Sequence, residues 1–104
     1  MRFLAYDLSI DLIVQLRAAL ARIKRHDAAL AKQGRDAAGS VSLNLGEGNG
    51  RAGADRLHHF RIALGSLREV GAVLDVAVAF GYLDEAPLAR ERDRLCGIIY
   101  GLQR

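Results

Sequence analysis

The chain has no tryptophan, one cysteine, one proline and only 6% aromatic residues. Each scarcity excludes something. A lone thiol, Cys96, cannot form an internal disulfide. A lone proline, Pro87, leaves helix-breaking punctuation to glycine. With so few rings and with seventeen alanines and eleven glycines among 104 residues, the interior cannot be a bulky aromatic core, and closely approaching helices are expected instead. No apolar run approaches the ~20 residues of a membrane span, and Asp7 and Asp11 interrupt the N-terminal apolar stretch where a signal peptide would be continuous. A cytoplasmic protein with no membrane association is the expectation.

What is present is helical periodicity. From Asp7, read as an N-cap, apolar residues recur at Leu8, Leu12, Leu16, Ala19, Leu20 and Ile23, which predicts a helix over about 7–24. Asp27 is a fitting N-cap for a second helix over about 28–46, whose narrow stripe is Leu30, Gly34, Ala37, Ala38, Val41 and Leu45. A third, over about 55–80, carries two stripes: Leu57, Phe60, Leu64, Leu67, Gly71, Leu74 and Val78, and beside them Ala63, Ser66, Val70, Val73, Ala77 and Phe80. So wide an apolar arc predicts cover from more than one side and favours self-association. Gly81 closes that helix, and Asp84, Glu85 and Pro87 open a fourth over about 85–103. The fold class is all-α: one domain, an antiparallel up-down-up-down four-helix bundle.

Chemistry is sparse. The chain has four glutamates, Glu47, Glu69, Glu85 and Glu91, and none is followed by histidine at the third position, so the carboxylate–histidine set of a di-iron bundle is missing. His58 and His59 are adjacent and diverge by about 100° on a helix, so they cannot face one metal together. The glycines at 46, 48, 50 and 53 match neither a dinucleotide nor a Walker pattern and read as a turn between helices. No metal site, cofactor or catalytic residue is expected. Asn44 and Glu47, three apart, share one helix face, and Glu47 opposes the helix dipole; a buried polar network with Arg51, Arg61 or Ser66, fixing the register of helix 2 on helix 3, accounts for them.

The remaining candidate is positive charge. Net charge is +3, and thirteen of the fifteen cations are arginine, a planar fork suited to phosphate. Arg17, Arg22, Lys24, Arg25, Lys32 and Arg35 surround the joint of helices 1 and 2, and Arg51, Arg56 and Arg61 follow the glycine turn. No aromatic residue interleaves with them, which predicts contacts to nucleic-acid phosphates without base stacking. A solvated helix surface is the alternative reading of the same charges.

One block is specific. Asn44, Glu47, Gly48 and Arg51, followed by Phe60, Ala63, Gly65, Ser66 and Glu69, resembles the bacterial 23S rRNA-intervening-sequence protein family, in which helix 2 ends in a motif like Asn-Ile-Ala-Glu-Gly and helix 3 carries Phe-x-x-Ala-x-Gly-Ser-x-x-Glu. Departures are Ser42 for a common proline, Gly46 for alanine, Gly34 for an apolar residue and Asp36 for a frequent arginine. The resemblance implies a four-helix bundle assembling into a homo-oligomeric ring, a pentamer, related to the accessory protein of diversity-generating retroelements. It implies a non-enzymatic scaffold that binds RNA or DNA through basic surfaces, with a protein-partner adaptor, for example to a polymerase, as the alternative.

Overall fold

The computed structural model describes residues 2–104. Four α-helices, α1 (Leu4–His26), α2 (Ala28–Asn49), α3 (Gly53–Ala79) and α4 (Ala89–Gly101), make up the fold, with no strand among the described residues. Contacts run from α1 to α2, α2 to α3, α3 to α4 and α4 back to α1, the closed circuit of a helical bundle around one core. Leu16, Ile23, Leu45, Phe60, Leu67, Leu74, Leu95 and Ile99 are its largest fully buried residues apart from valine and serine.

Helix limits depart from the periodicity in instructive ways. α1 opens at Leu4, so Asp7 is not an N-cap: it lies in the first turn, its backbone N–H bonded to the Phe3 carbonyl and its carboxylate 3.1 Å from Arg2. The α1–α2 joint is a single extended residue. The Asp27 N–H closes α1 on the Ile23 carbonyl, and its carboxylate accepts from the Leu30 N–H at 2.9 Å to cap α2.

α2 continues through Gly46 and Gly48 to Asn49, because Gly48 lies under the Phe60 ring and the last turn is held by Arg56, which donates to the carbonyls of Gly48 at 3.2 Å and Asn49 at 3.5 Å. At the far end of α3, Gly81 has φ +81° and donates to Val78, while the Tyr82 N–H donates to Ala77, the paired bonds of a Schellman motif. α4 starts at Ala89 rather than near 85. Ala86 precedes proline and is steered away from helical geometry, and Leu88, at φ 63°, is left-handed.

The wide apolar arc of α3 is covered from more than one side, and for the most part within the single chain. Phe60, Leu64, Leu67 and Leu74 of one stripe and Ala63, Val70, Val73 and Ala77 of the other are all buried within the single chain. α2 covers one side and α4 the other. The close α2–α3 seam makes this possible: a Cβ built on Gly34 would stand 2.9 Å from Val73 Cγ1 and 3.0 Å from Leu20 Cδ2. Large apolar surface stays open instead on α1 and α2, at Tyr6, Ile10, Val14 and Leu43, on α3 at Ile62 and Val76, and just past its end at Phe80.

Candidate nucleic-acid interface

The nine candidate basic residues divide into three groups. Arg17 and Lys24 of α1 and Lys32 and Arg35 of α2 line one groove of about 650 Å³ between these helices. Its floor is apolar, built by Ile13, Leu20, Ala21, Ala28 and Ala31, and none of these stands out in a search for charge. The four cations converge because α1 and α2 are both amphipathic and their charged flanks meet beside the shared seam. Asp36 shares the groove and binds Lys32 at 2.7 Å, whereas Arg17, Lys24 and Arg35 make no ion pair among the described residues. Arg22 lies outside the groove and pairs with Asp84 at 3.6 Å, and Arg25 is exposed in the last turn of α1.

The group after the glycine turn does local work. Arg51 bridges Glu47 at 3.4 Å and Asp55 at 3.1 Å. Arg56 caps α2 and lies over the Phe60 ring at 4.7 Å. Of these three, Arg61 alone is exposed without an ion pair among the described residues.

The motif residues lie along the α2–α3 seam. Glu47 is not buried: its side chain is 59% exposed, and Arg51 is its partner. Asn44 is half-buried and donates to the Ser40 carbonyl at 2.9 Å and the Ser40 hydroxyl at 3.1 Å, while its Oδ1 accepts from His59 Nδ1 at 3.0 Å. Ser66 donates to the same Ser40 hydroxyl at 2.8 Å, and Gln33 reaches Glu69 at 3.5 Å. Arg61 takes no part. His59 and Ser40 escaped the sequence reading because each bonds across helices, 15 and 26 residues along the chain. Ala63 is buried, but Gly65 faces open space, and nothing within the chain explains it.

These distances separate the two motif residues energetically. Asn44→Ala should lower stability by about 1–2 kcal/mol, because Ser40 and His59 lose a half-buried partner. Glu47→Ala should change it by no more than about 0.5 kcal/mol, the scale of an exposed helix ion pair. Thermal melts of the two variants side by side give the comparison; equal losses would contradict the assigned contacts.

Among the described residues no group of three or more histidine, cysteine, aspartate or glutamate side chains could hold a metal. Burial pushes the Cys96 thiol up from its ordinary range, with Arg68 and Arg92 opposing and Asp93 adding, so the thiolate is disfavoured at neutral pH. No helix among the described residues is long and apolar enough to cross a membrane.

Tyr82 of the α3–α4 turn stacks on His26 at the end of α1, whereas the groove itself is lined by no ring.

Together these features define an all-α four-helix protein with a basic cleft between its first two helices. The family model described as 23S rRNA-intervening sequence protein matches residues 2–102, and the chain belongs to that family. Comparison with curated proteins and with solved structures gave no match.

Proposed function

We propose that the protein is a non-enzymatic scaffold that holds RNA or DNA by its phosphates in the α1–α2 groove, with little preference for sequence. The observation that carries this reading is the convergence of Arg17, Lys24, Lys32 and Arg35 on one groove against a single carboxylate, Asp36. Guanidinium and ammonium groups about a cleft bind charge and shape rather than base identity. The family's link to ribosomal RNA intervening sequences supports it. The whole chain is read as one antiparallel up-down-up-down bundle, acting in the cytoplasm.

The same reading includes a homo-oligomeric ring, a pentamer. Its support is the family resemblance and the open apolar surface of Tyr6, Ile10 and Val14 on successive turns of α1, with Leu43 on α2. Gly65 adds to it: an exposed glycine inside a helix costs about 1 kcal/mol, which a close approach by a neighbouring chain would offset. Light scattering on the eluting species should give about five times the 11.3 kDa chain mass; a monomer at micromolar concentration would remove the ring.

Binding is tested by anisotropy titrations of structured RNA and duplex DNA against rising salt. If each of the four cations meets one phosphate, affinity should fall roughly a hundredfold between about 50 and 200 mM salt. Arg17→Glu with Arg35→Glu should abolish binding at ~50 mM salt, and Asp36→Asn, which removes the groove's one carboxylate, should strengthen it several-fold. The apolar floor of the groove favours a second reading, an adaptor for a protein partner such as a polymerase. Undetectable binding of both nucleic acids at ~50 mM salt would put that reading in place of the first.

A further inference from the structure

Two open strips of the surface fit one another. On α1, Tyr6, Ile10 and Val14 stand four residues apart and form a single ridge of exposed apolar side chains, of which Val14, 54% exposed, is the most open. On α3, Ile62, Gly65, Glu69, Ala72 and Val76 are all exposed and recur at alternating steps of three and four, the spacing of a seam against another helix. Gly65 is its low point: a Cβ there would meet nothing within 4 Å, while Ile62 and Val76 stand at either end. Glycine inside a helix is disfavoured unless something needs the missing side chain, and no atom of this chain does. A ridge entering such a hollow is the ordinary way in which two helices pack.

Charge fixes the match. Asp11 lies beside the α1 ridge on the side toward α4, where it shares a cleft with Glu91 and Arg94, and Arg25 follows it by fourteen residues, two heptads along the same flank. Arg61 and Asp75 stand in the same relation on α3, seven residues either side of Arg68, which is near enough to α4 to act on the Cys96 thiol. All four are exposed, and none makes an ion pair among the described residues. The order is acid then base on α1, and base then acid on α3. In the up-down-up-down reading α1 and α3 run the same way, so copies pointing in one direction can lay α1 of one along α3 of the next with their α4-side flanks together. Asp11 then meets Arg61 and Arg25 meets Asp75 in a single register, because both spans are about 21 Å. That register carries Val14 to within one residue of Gly65. A copy turned end for end would set Asp11 against Asp75 and Arg25 against Arg61, and like charges disfavour it.

We infer that a second copy of this chain covers the α3 seam: the Tyr6–Ile10–Val14 ridge of one copy packs on the Ile62–Val76 seam of the next, Val14 over Gly65, with the two ion pairs at the rim. The contact joins two different faces, so it propagates from copy to copy and can close a ring instead of ending at a pair. It rests on the assembly proposed above and adds which faces meet and in which direction.

The test uses the full chain carrying Cys96→Ser, which removes the one native thiol. Val14→Cys and Gly65→Cys proteins are refolded together from urea and treated with a short bis-maleimide crosslinker. The mixture should give a covalent dimer, and each protein alone should give little. A second arm reverses charge: Asp11→Arg with Arg25→Asp, or Arg61→Asp with Asp75→Arg, should raise the concentration of half-assembly about threefold or more by light scattering, and all four changes in one chain should restore it. Circular dichroism of each variant checks the fold. Val14→Cys that links to itself as readily as to Gly65→Cys, an oligomer of native mass with no 14–65 link, or a fourfold variant no better assembled than its parents overturns the assigned faces and leaves the ring reading standing. A wild-type monomer at micromolar concentration removes the ring reading and this contact together.

Discussion

Leu74→Asp should leave the chain without a stable folded state. Leu74 has 0% exposure. A carboxylate there would have no ionic partner, because the neighbouring core is apolar. An unpaired buried charge costs on the order of 3–5 kcal/mol, added to the lost burial of the leucine, against a total stability of about 5–15 kcal/mol for an ordinary domain. Leu74→Ala, which leaves only a cavity, should cost about 2–5 kcal/mol and remain folded. Far-ultraviolet circular dichroism and urea titration distinguish the two. The outcome also bears on assembly, since two stripes on α3 suggest from sequence that this residue faces a neighbouring copy. Loss of helix is expected, whereas a well-folded monomer from Leu74→Asp would place the residue in an interface after all. Val14→Asp, on the open face of α1, is the matched variant: its helix content should be unchanged, and only its oligomeric mass can respond.

The second large effect concerns a glycine whose substitution helix propensity alone would favour. Exchange of a helical glycine for alanine is expected to gain about 1 kcal/mol. At Gly48 the sign should reverse, because the new Cβ would stand 2.6 Å from Phe60 Cε1, 2.9 Å from Phe60 Cδ1 and 3.1 Å from His59 Cβ. Phe60 is fully buried, so its ring has nowhere to move without displacing other core atoms. A loss of about 1–3 kcal/mol follows, roughly 4–8 °C of Tm for each kcal/mol in a domain of this size. Gly39→Ala is the internal control: its Cβ meets nothing within 4 Å, so the propensity gain should appear undiminished. Two stabilised variants would mean that α2 and α3 are not as close as this seam requires.

That contrast explains part of the motif. Gly48 and Phe60 are motif residues on different helices, and each accounts for the other: the ring fills the space that the missing side chain leaves. Asn44 and Ser66 are likewise joined through Ser40, a residue outside the Asn44–Glu69 block. The block was legible as a unit because its members are special residue types in a fixed order. Its contacts were not, since nothing in the spacing of Asn44 and Glu47 shows that one turns into the seam and the other out to solvent. The groove was legible in half. Arg17, Lys24, Lys32 and Arg35 stand out by charge, but Arg22 has the same charge and neighbourhood in sequence and is directed to Asp84 instead.

Local chemistry of the chain was enough to specify four helices, most of their core-facing residues, the Asp27 cap and the Gly81 stop, because period, capping and left-handed glycine act within a few residues of one another. Tertiary contact decided the rest. Whether Gly46 and Gly48 end α2 depends on Phe60, which lies beyond the turn; whether α3 needs a second chain depends on how much of it α2 and α4 cover; and His26 meets Tyr82 only when the bundle closes. In each case the deciding energy is packing between atoms distant in the chain, which a local pattern does not encode.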